Sequence, residues 1–126
     1  METEFILYVS NLSKSKAFYS AVLNQQASLD VPGMVEFELG SSVKIGLMPE
    51  VGIAKIICPA LPHPSTANGK PRCEIYLKCS DYQKYFKRAI AAGALLISEP
   101  RSRDWGHIVG YVADSDGHVL AFAGEN

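Results

Sequence analysis

The sequence predicts an α+β fold made of two similar β-α-β-β-β halves, and three observations carry that prediction. The stretch EFILYVSNLSKSKAFYSAVLN, residues 4–24, returns in altered form as EIYLKCSDYQKYFKRAIAAGA, residues 74–94. A single offset lays Glu4 on Glu74, Leu7 on Leu77, Ser10 on Ser80 and Lys14 on Lys84. Around each copy, runs with apolar side chains at every second position accompany one run with helical spacing. Between the copies lies PALPHPSTANGKP, dense in proline, glycine, serine and asparagine, the composition of a surface connection. The chain thus divides into a first module over about 1–57, a linker over 58–71 and a second module over 72–126.

The elements follow in order. EFILYV (4–9) is rich in β-forming side chains and is predicted as a strand. Asn11 or Ser13 caps a helix over 13–23, with Ala17, Phe18, Val22 and Leu23 as its apolar stripe and Asn24 as its stop. Strands are predicted near 26–30, 34–39 and 43–48, with Pro32-Gly33 and Gly40-Ser41-Ser42 supplying the reversals. The apolar segment GIAKIIC (52–58) is read as one more strand before the linker.

The second module opens with a strand over 73–79 and a helix over 81–92. Ser80 or Asp81 caps that helix, and Ser80-x-x-Gln83 fits a capping box. Tyr82, Phe86, Ala89 and Ile90 form its buried stripe, and Gly93 ends it. Strands at 94–98, 107–114 and 118–123 complete the module, the last two joined by a tight Asp114–Gly117 turn.

Composition narrows the function. A chain of 126 residues buries roughly two-thirds of its unfolded surface, enough for a core without staples. A net charge of −1 with no basic run argues against nucleic acid as a partner. No apolar run approaches the roughly 20 residues that span a bilayer, and METEFILYVSNL does not read as a signal peptide. Three cysteines without a C-x-x-C pair favour a reduced, cytoplasmic setting.

Two segments resemble a known family. FILYVSNLSKSKAFYSAVLN is similar to the strand–helix start of the vicinal oxygen chelate superfamily, which includes glyoxalase I, bleomycin-resistance proteins and extradiol dioxygenases. DWGHIVGYVADSDGHVLAFA resembles that family's closing hairpin, commonly written G-x-x-x-D-P-D-G-x-x-x-E. The resemblance implies that the two modules form a half-closed, barrel-like mixed sheet with helices outside and a ligand cleft inside. It also implies a homodimer in many members.

Metal-using members of this family take one ligand from each of four strands. Carried over, the positions are Glu4 and Glu74 on the first strand of each module, and Gly46 and Ala121 on the last. Neither glycine nor alanine offers a donor, and shifting the register by one brings in only Ile45, Leu47, Leu120 or Phe122. Two carboxylates without imidazole suit a transition metal poorly. His63 and His118 read as surface or edge residues, while His107 and Trp105 fall where family members often edge the cleft. No cofactor is expected; Zn, Ni, Mn or Fe enters only under an enzymatic alternative.

Strand alternation sorts the remaining side chains. Phe5, Leu7 and Val9 are expected against helices, as are Cys73, Ile75, Leu77 and Cys79. The opposite face then gathers Glu4, Tyr8, Glu36, Glu38, Lys44, Met48, Glu74, Tyr76, Lys78 and Ala121. With Trp105 and His107 these are the expected contacts to a small polar organic molecule. The same residues also describe a solvated face of cross-strand ion pairs worth about 0–1 kcal/mol each.

Three functions compete. The first is metal-free binding of a small polar compound. The second is a lyase, epimerase or dioxygenase that uses Glu4 or Glu74 as a base. The third is a protein-interaction module, which the polarity of the inner face disfavours.

Overall fold

The computed structural model describes residues 1–126 and contains two four-stranded mixed sheets. The elements are β1 (Thr3–Val9), α1 (Leu12–Leu23), β2 (Leu29–Val31), β3 (Met34–Glu38), β4 (Val43–Pro49) and α2 (Glu50–Ile57). A short 3-10 turn (Pro64–Ala67) leads to β5 (Glu74–Lys78), α3 (Tyr82–Ala91), β6 (Leu95–Ser102), β7 (His107–Ala113) and β8 (Val119–Glu125). The sheets have equivalent orders, β1-β4-β3-β2 and β5-β8-β7-β6, and neither closes on itself. Two compact units result: residues 1–20 with 24–68, and residues 21–23 with 69–126.

In the first unit β1 runs parallel to β4, and β4 is antiparallel to β3. Val35, Phe37, Ile45 and Leu47 alternate onto one face and are almost fully buried. Burial of each such side chain stabilises the fold by about 1.5–3 kcal/mol. Asn11 caps α1, its Oδ1 accepting from the Lys14 amide at 3.0 Å, and Asn24 ends it in the left-handed region at φ 52°. The buried positions of the helix are Ser15, Tyr19, Val22 and Leu23, so the expected stripe is corrected: Ala17 is exposed and Phe18 half-buried.

The segment GIAKIIC is helix, not strand. Ile53 and Ala54 bury together while Ile56 stays exposed, a helical spacing that its β-branched composition hides. Glu50 in the first turn and Lys55 in the last also suit the helix dipole. This helix packs on β4 and β1.

In the second unit α3 packs on β8, β7 and β6 through Tyr82, Phe86 and Ala89. Gly110 and Gly124 admit the rings: a Cβ at 110 would stand 2.7 Å from Phe86, and one at 124 would collide with Tyr82. Ile90 is exposed, unlike its expected place in the stripe. The capping box does not form. Asp81 is the N-cap, its backbone at φ −101°, ψ 29° directs no side-chain bond to the helix, and its carbonyl accepts from Lys84 instead. Gly93 follows the helix at φ 98°, a conformation that favours glycine. Arg88 Nε donates to the Val22 carbonyl at 3.0 Å and its guanidinium lies 4.4 Å from the centre of the Tyr85 ring.

Two burial expectations fail at strand ends, although the alternation holds. Phe5 is 57% exposed and Cys73 is exposed.

Candidate functional site

In the first unit the strand order places a pair of carboxyls across a glycine. Glu4 pairs in register with Lys44, while Gly46 on the same central strand is flanked by Ile6 and Glu36. The Glu4 side chain lies over Gly46, where an added Cβ would meet Oε1. That Oε1 is buried without a hydrogen-bond partner. Burial first, then the hydrogen bond and charge of Glu36, push the Glu4 carboxyl above its ordinary value, with Lys44 opposing. Lys44 Nζ stands 3.5 Å from Glu36 Oε1, an ion pair beside the Glu4 carboxyl.

A cavity of about 210 Å³ opens beside this pair, lined among others by Glu4, Glu38, Lys44, Thr3, Ser41 and Ser42. Ligand pockets for drug-sized molecules are roughly 300–1,000 Å³, so this cavity is small and polar by comparison. Tyr8 and Met48 pair with each other farther along the same face. Neither lines the cavity.

The second unit gathers aromatic and cationic groups. Trp105 Nε1 donates to the Tyr76 hydroxyl at 2.9 Å, and that hydroxyl lies 2.8 Å from His107 Nδ1. Having accepted from the indole, the phenol donates to Nδ1 when His107 carries its proton on Nε2. Gly106, at φ 91°, makes the turn that brings Trp105 beside His107. Tyr76 and Tyr111 flank Ala121 in register, and Ala121 buries completely with Val109 and Ala123 against Tyr111.

Arg103 completes the group. Its Nη2 donates to Ser98 Oγ and to the Val109 carbonyl, both at 2.8 Å, and its guanidinium carbon is 5.1 Å from the centre of the Tyr111 ring. Burial pushes the Tyr111 phenol up; the Glu74 charge adds to this and Arg103 opposes it. Lys78 is paired with Glu125, whose carboxyl that bond holds below the ordinary range. Glu74 itself is exposed at the start of β5.

The structure therefore brings together Glu4, Glu36, Glu38 and Lys44 in one unit, and Tyr76, Trp105, His107 and Ala121 in the other. Arg103, Ser98 and Tyr111 were not singled out in the sequence. Tyr111 alternates with His107 and Val109, which marks its face; Arg103, within RSRDWGH, carried no comparable signal.

A resident divalent metal fits this donor set poorly. Gly46 and Ala121 offer no side-chain donor, and the Lys44 ammonium already pairs with Glu36 at 3.5 Å. Asp114, Asp116 and His118 do lie close, their ligand atoms within 4.8 Å of one another. Asp114 Oδ1, however, accepts from the Asp116 and His118 amides at 2.9 Å each, which is the chemistry of the Asp114–Gly117 turn. His63 caps the 3-10 turn, its Nδ1 accepting from the Ser65 amide. Burial, followed by the Asp81 hydrogen bond, pushes the Cys79 thiol up, which disfavours its thiolate.

Comparison with known proteins gives a consistent result. The family model described as a glyoxalase-like domain matches residues 3–125. A glyoxalase-related enzyme from Fulvimarina pelagi superposes with a TM-score of 0.82 at 18% identity, covering 99% of this chain and 88% of its own. A glyoxalase/bleomycin resistance protein/dioxygenase family enzyme from Burkholderia phytofirmans PsJN gives 0.81 at 16% identity, covering 98% and 97%. A glyoxalase/bleomycin resistance protein/dioxygenase from Nocardioides gives 0.76 at 21%, covering 99% and 83%. No curated protein matches the sequence.

Proposed function

The chain belongs to the glyoxalase-like domain family, and from that premise we propose that it binds a small polar organic molecule without a resident metal. The observation that carries this reading is the ordered polar-aromatic surface of the second sheet. There Trp105, Tyr76 and His107 hold one another by hydrogen bonds above small, buried residues. A hydroxyl fixed between an indole and an imidazole presents a directional group at little entropic cost, and aromatic walls add contact area. Support for metal independence comes from the absence of donors at Gly46 and Ala121, the positions the resemblance assigns to ligands.

The test is a thermal-shift screen of small polar compounds, run with and without divalent metals and after chelation. Binding to the folded state raises stability by mass action, so ligands stabilise the chelated protein as much as the untreated one. A complete lack of stabilising compounds contradicts the reading. A homodimer, the assembly the resemblance implies, is part of the proposal and is measured by sedimentation.

One observation favours a second reading. Glu4 combines a raised carboxyl with a Glu36 partner, the pattern of a residue able to move a proton next to a carbonyl. A lyase, epimerase or dioxygenase using Glu4 as base would lose turnover on Glu4→Gln while keeping its binding affinity.

A further inference from the structure

No carboxylate neutralises Arg103, whose contacts are two hydrogen-bond acceptors and the Tyr111 ring. Both of its hydrogen-bond acceptors, the Ser98 hydroxyl and the Val109 carbonyl, are neutral. The ion pairs of the chain are Lys16–Asp30, Lys44–Glu36 and Lys78–Glu125, which leaves Arg103 without a carboxylate partner. Its Nε is buried and meets no acceptor. A partly buried cation without a counter-ion is costly, and an unsatisfied buried donor needs a reason. A peg between two neutral acceptors could be built from glutamine at no such cost.

The geometry is that of a prepared anion receptor. Two hydrogen bonds and the Tyr111 ring fix the guanidinium plane, so little rotamer freedom is left to lose on binding. With Nη2 committed to Ser98 and Val109 and Nε buried, Nη1 is the group left to donate, in a charge-assisted hydrogen bond to a carboxylate oxygen. Lys78 does not compete, because Glu125 neutralises it. Tyr111, Tyr76 and Trp105 supply ring faces on the same unit, suited to a flat ligand body.

We propose that Arg103 is the anion-recognising residue of the second sheet's polar face, and that the ligand is a planar small organic acid whose carboxylate it engages. This rests on the small-molecule reading above. Arg103 sets ligand class, whereas Tyr76, Trp105 and His107 contact the body of the ligand.

The experiment uses the full chain and matched probes. Benzoate, phenylacetate and cinnamate are compared with their primary amides by ligand-observed NMR and thermal shift. Carboxylates are expected to bind about ten-fold or more tightly than the amides, and the preference weakens as salt is raised. Arg103→Gln abolishes the preference, and Arg103→Lys keeps part of it by retaining charge. Arg101→Gln, which removes the same charge from an exposed edge position two residues away, leaves it unchanged. Amides binding as well as acids overturns the proposal while the small-molecule reading stands, and so does an equal effect of Arg101→Gln and Arg103→Gln. No binding by either series counts against both. Should Arg103→Gln fail to fold, the acid-against-amide comparison and its salt dependence on the unaltered chain decide the matter.

Discussion

The two sheets share one framework and use it for different chemistry. On the first, the row across β1, β4 and β3 reads Ile6, Gly46, Glu36; the corresponding row across β5, β8 and β7 reads Tyr76, Ala121, Tyr111. The neighbouring rows are Glu4, Lys44, Glu38 and Glu74, Val119, Ala113. A small residue sits on the central strand in both cases. In the first sheet it makes room for a carboxyl, and Lys44 compensates the acids around it. In the second it lies between two tyrosines, and Glu74 has no cation beside it in register, so that carboxylate stays in solvent. What changed between the halves is the side chains on a conserved register, not the register itself.

This comparison can be broken most forcefully at the glycines. Gly110→Ala places a Cβ between the Phe86 ring and Pro100, at 2.7 and 2.9 Å, and neither neighbour can yield easily. A loss of about 1–3 kcal/mol is expected in urea unfolding. Gly46→Ala meets the free end of Glu4, which can swing away, and Ile6 at 3.1 Å, so it should cost under about 1 kcal/mol. The reverse order would show that Gly110 is not packed against Phe86 and Pro100 as described.

Helix capping gives the next contrast. Asn11→Ala removes a side-chain bond to the Lys14 amide and should cost about 1 kcal/mol, whereas Asp81→Ala removes no cap bond and should cost much less. Equal losses would mean that the two helix starts are equivalent after all. A smaller effect is expected for Tyr76→Phe, which breaks the bonds to Trp105 and His107 on an exposed surface. Stability should change by about 1 kcal/mol or less, while emission from Trp105, the single tryptophan, shifts. Unchanged fluorescence would remove the indole from that network.

The slightest effect separates the sheets by pH. Glu4, raised in the folded state above its value of 4.5, binds more protons folded than unfolded. Its contribution is therefore fully present below the ordinary carboxylate range and is lost as pH rises through the raised folded value. Glu4→Gln should flatten this decline, and Glu74→Gln should leave it intact. Parallel curves for Glu4→Gln and the parent chain would remove the acid pair from consideration.

Much of the framework was legible because it follows from local rules. Asn11 and Asn24 bracket α1, Gly93 ends α3, and the Asp114–Gly117 turn joins β7 to β8. Strand alternation placed Glu4 and Glu36 on one face. It could not place them across Gly46, because that requires β4 to insert between β1 and β3. GIAKIIC misled for a related reason: an apolar, β-branched run is helix here because packing on β4 and β1 overrides propensity. Arg103 stayed hidden because its role depends on Ser98, Val109 and Tyr111, which come from two strands that the sequence alone does not pair.

The most direct measurement is metal content and ligand binding on the same chelated sample. Elemental analysis after dialysis against EDTA should find no stoichiometric Zn, Ni, Mn or Fe, and organic acids should still raise the melting temperature. A firmly held ion, or stabilisation that vanishes on chelation and returns with added metal, would contradict metal-independent recognition.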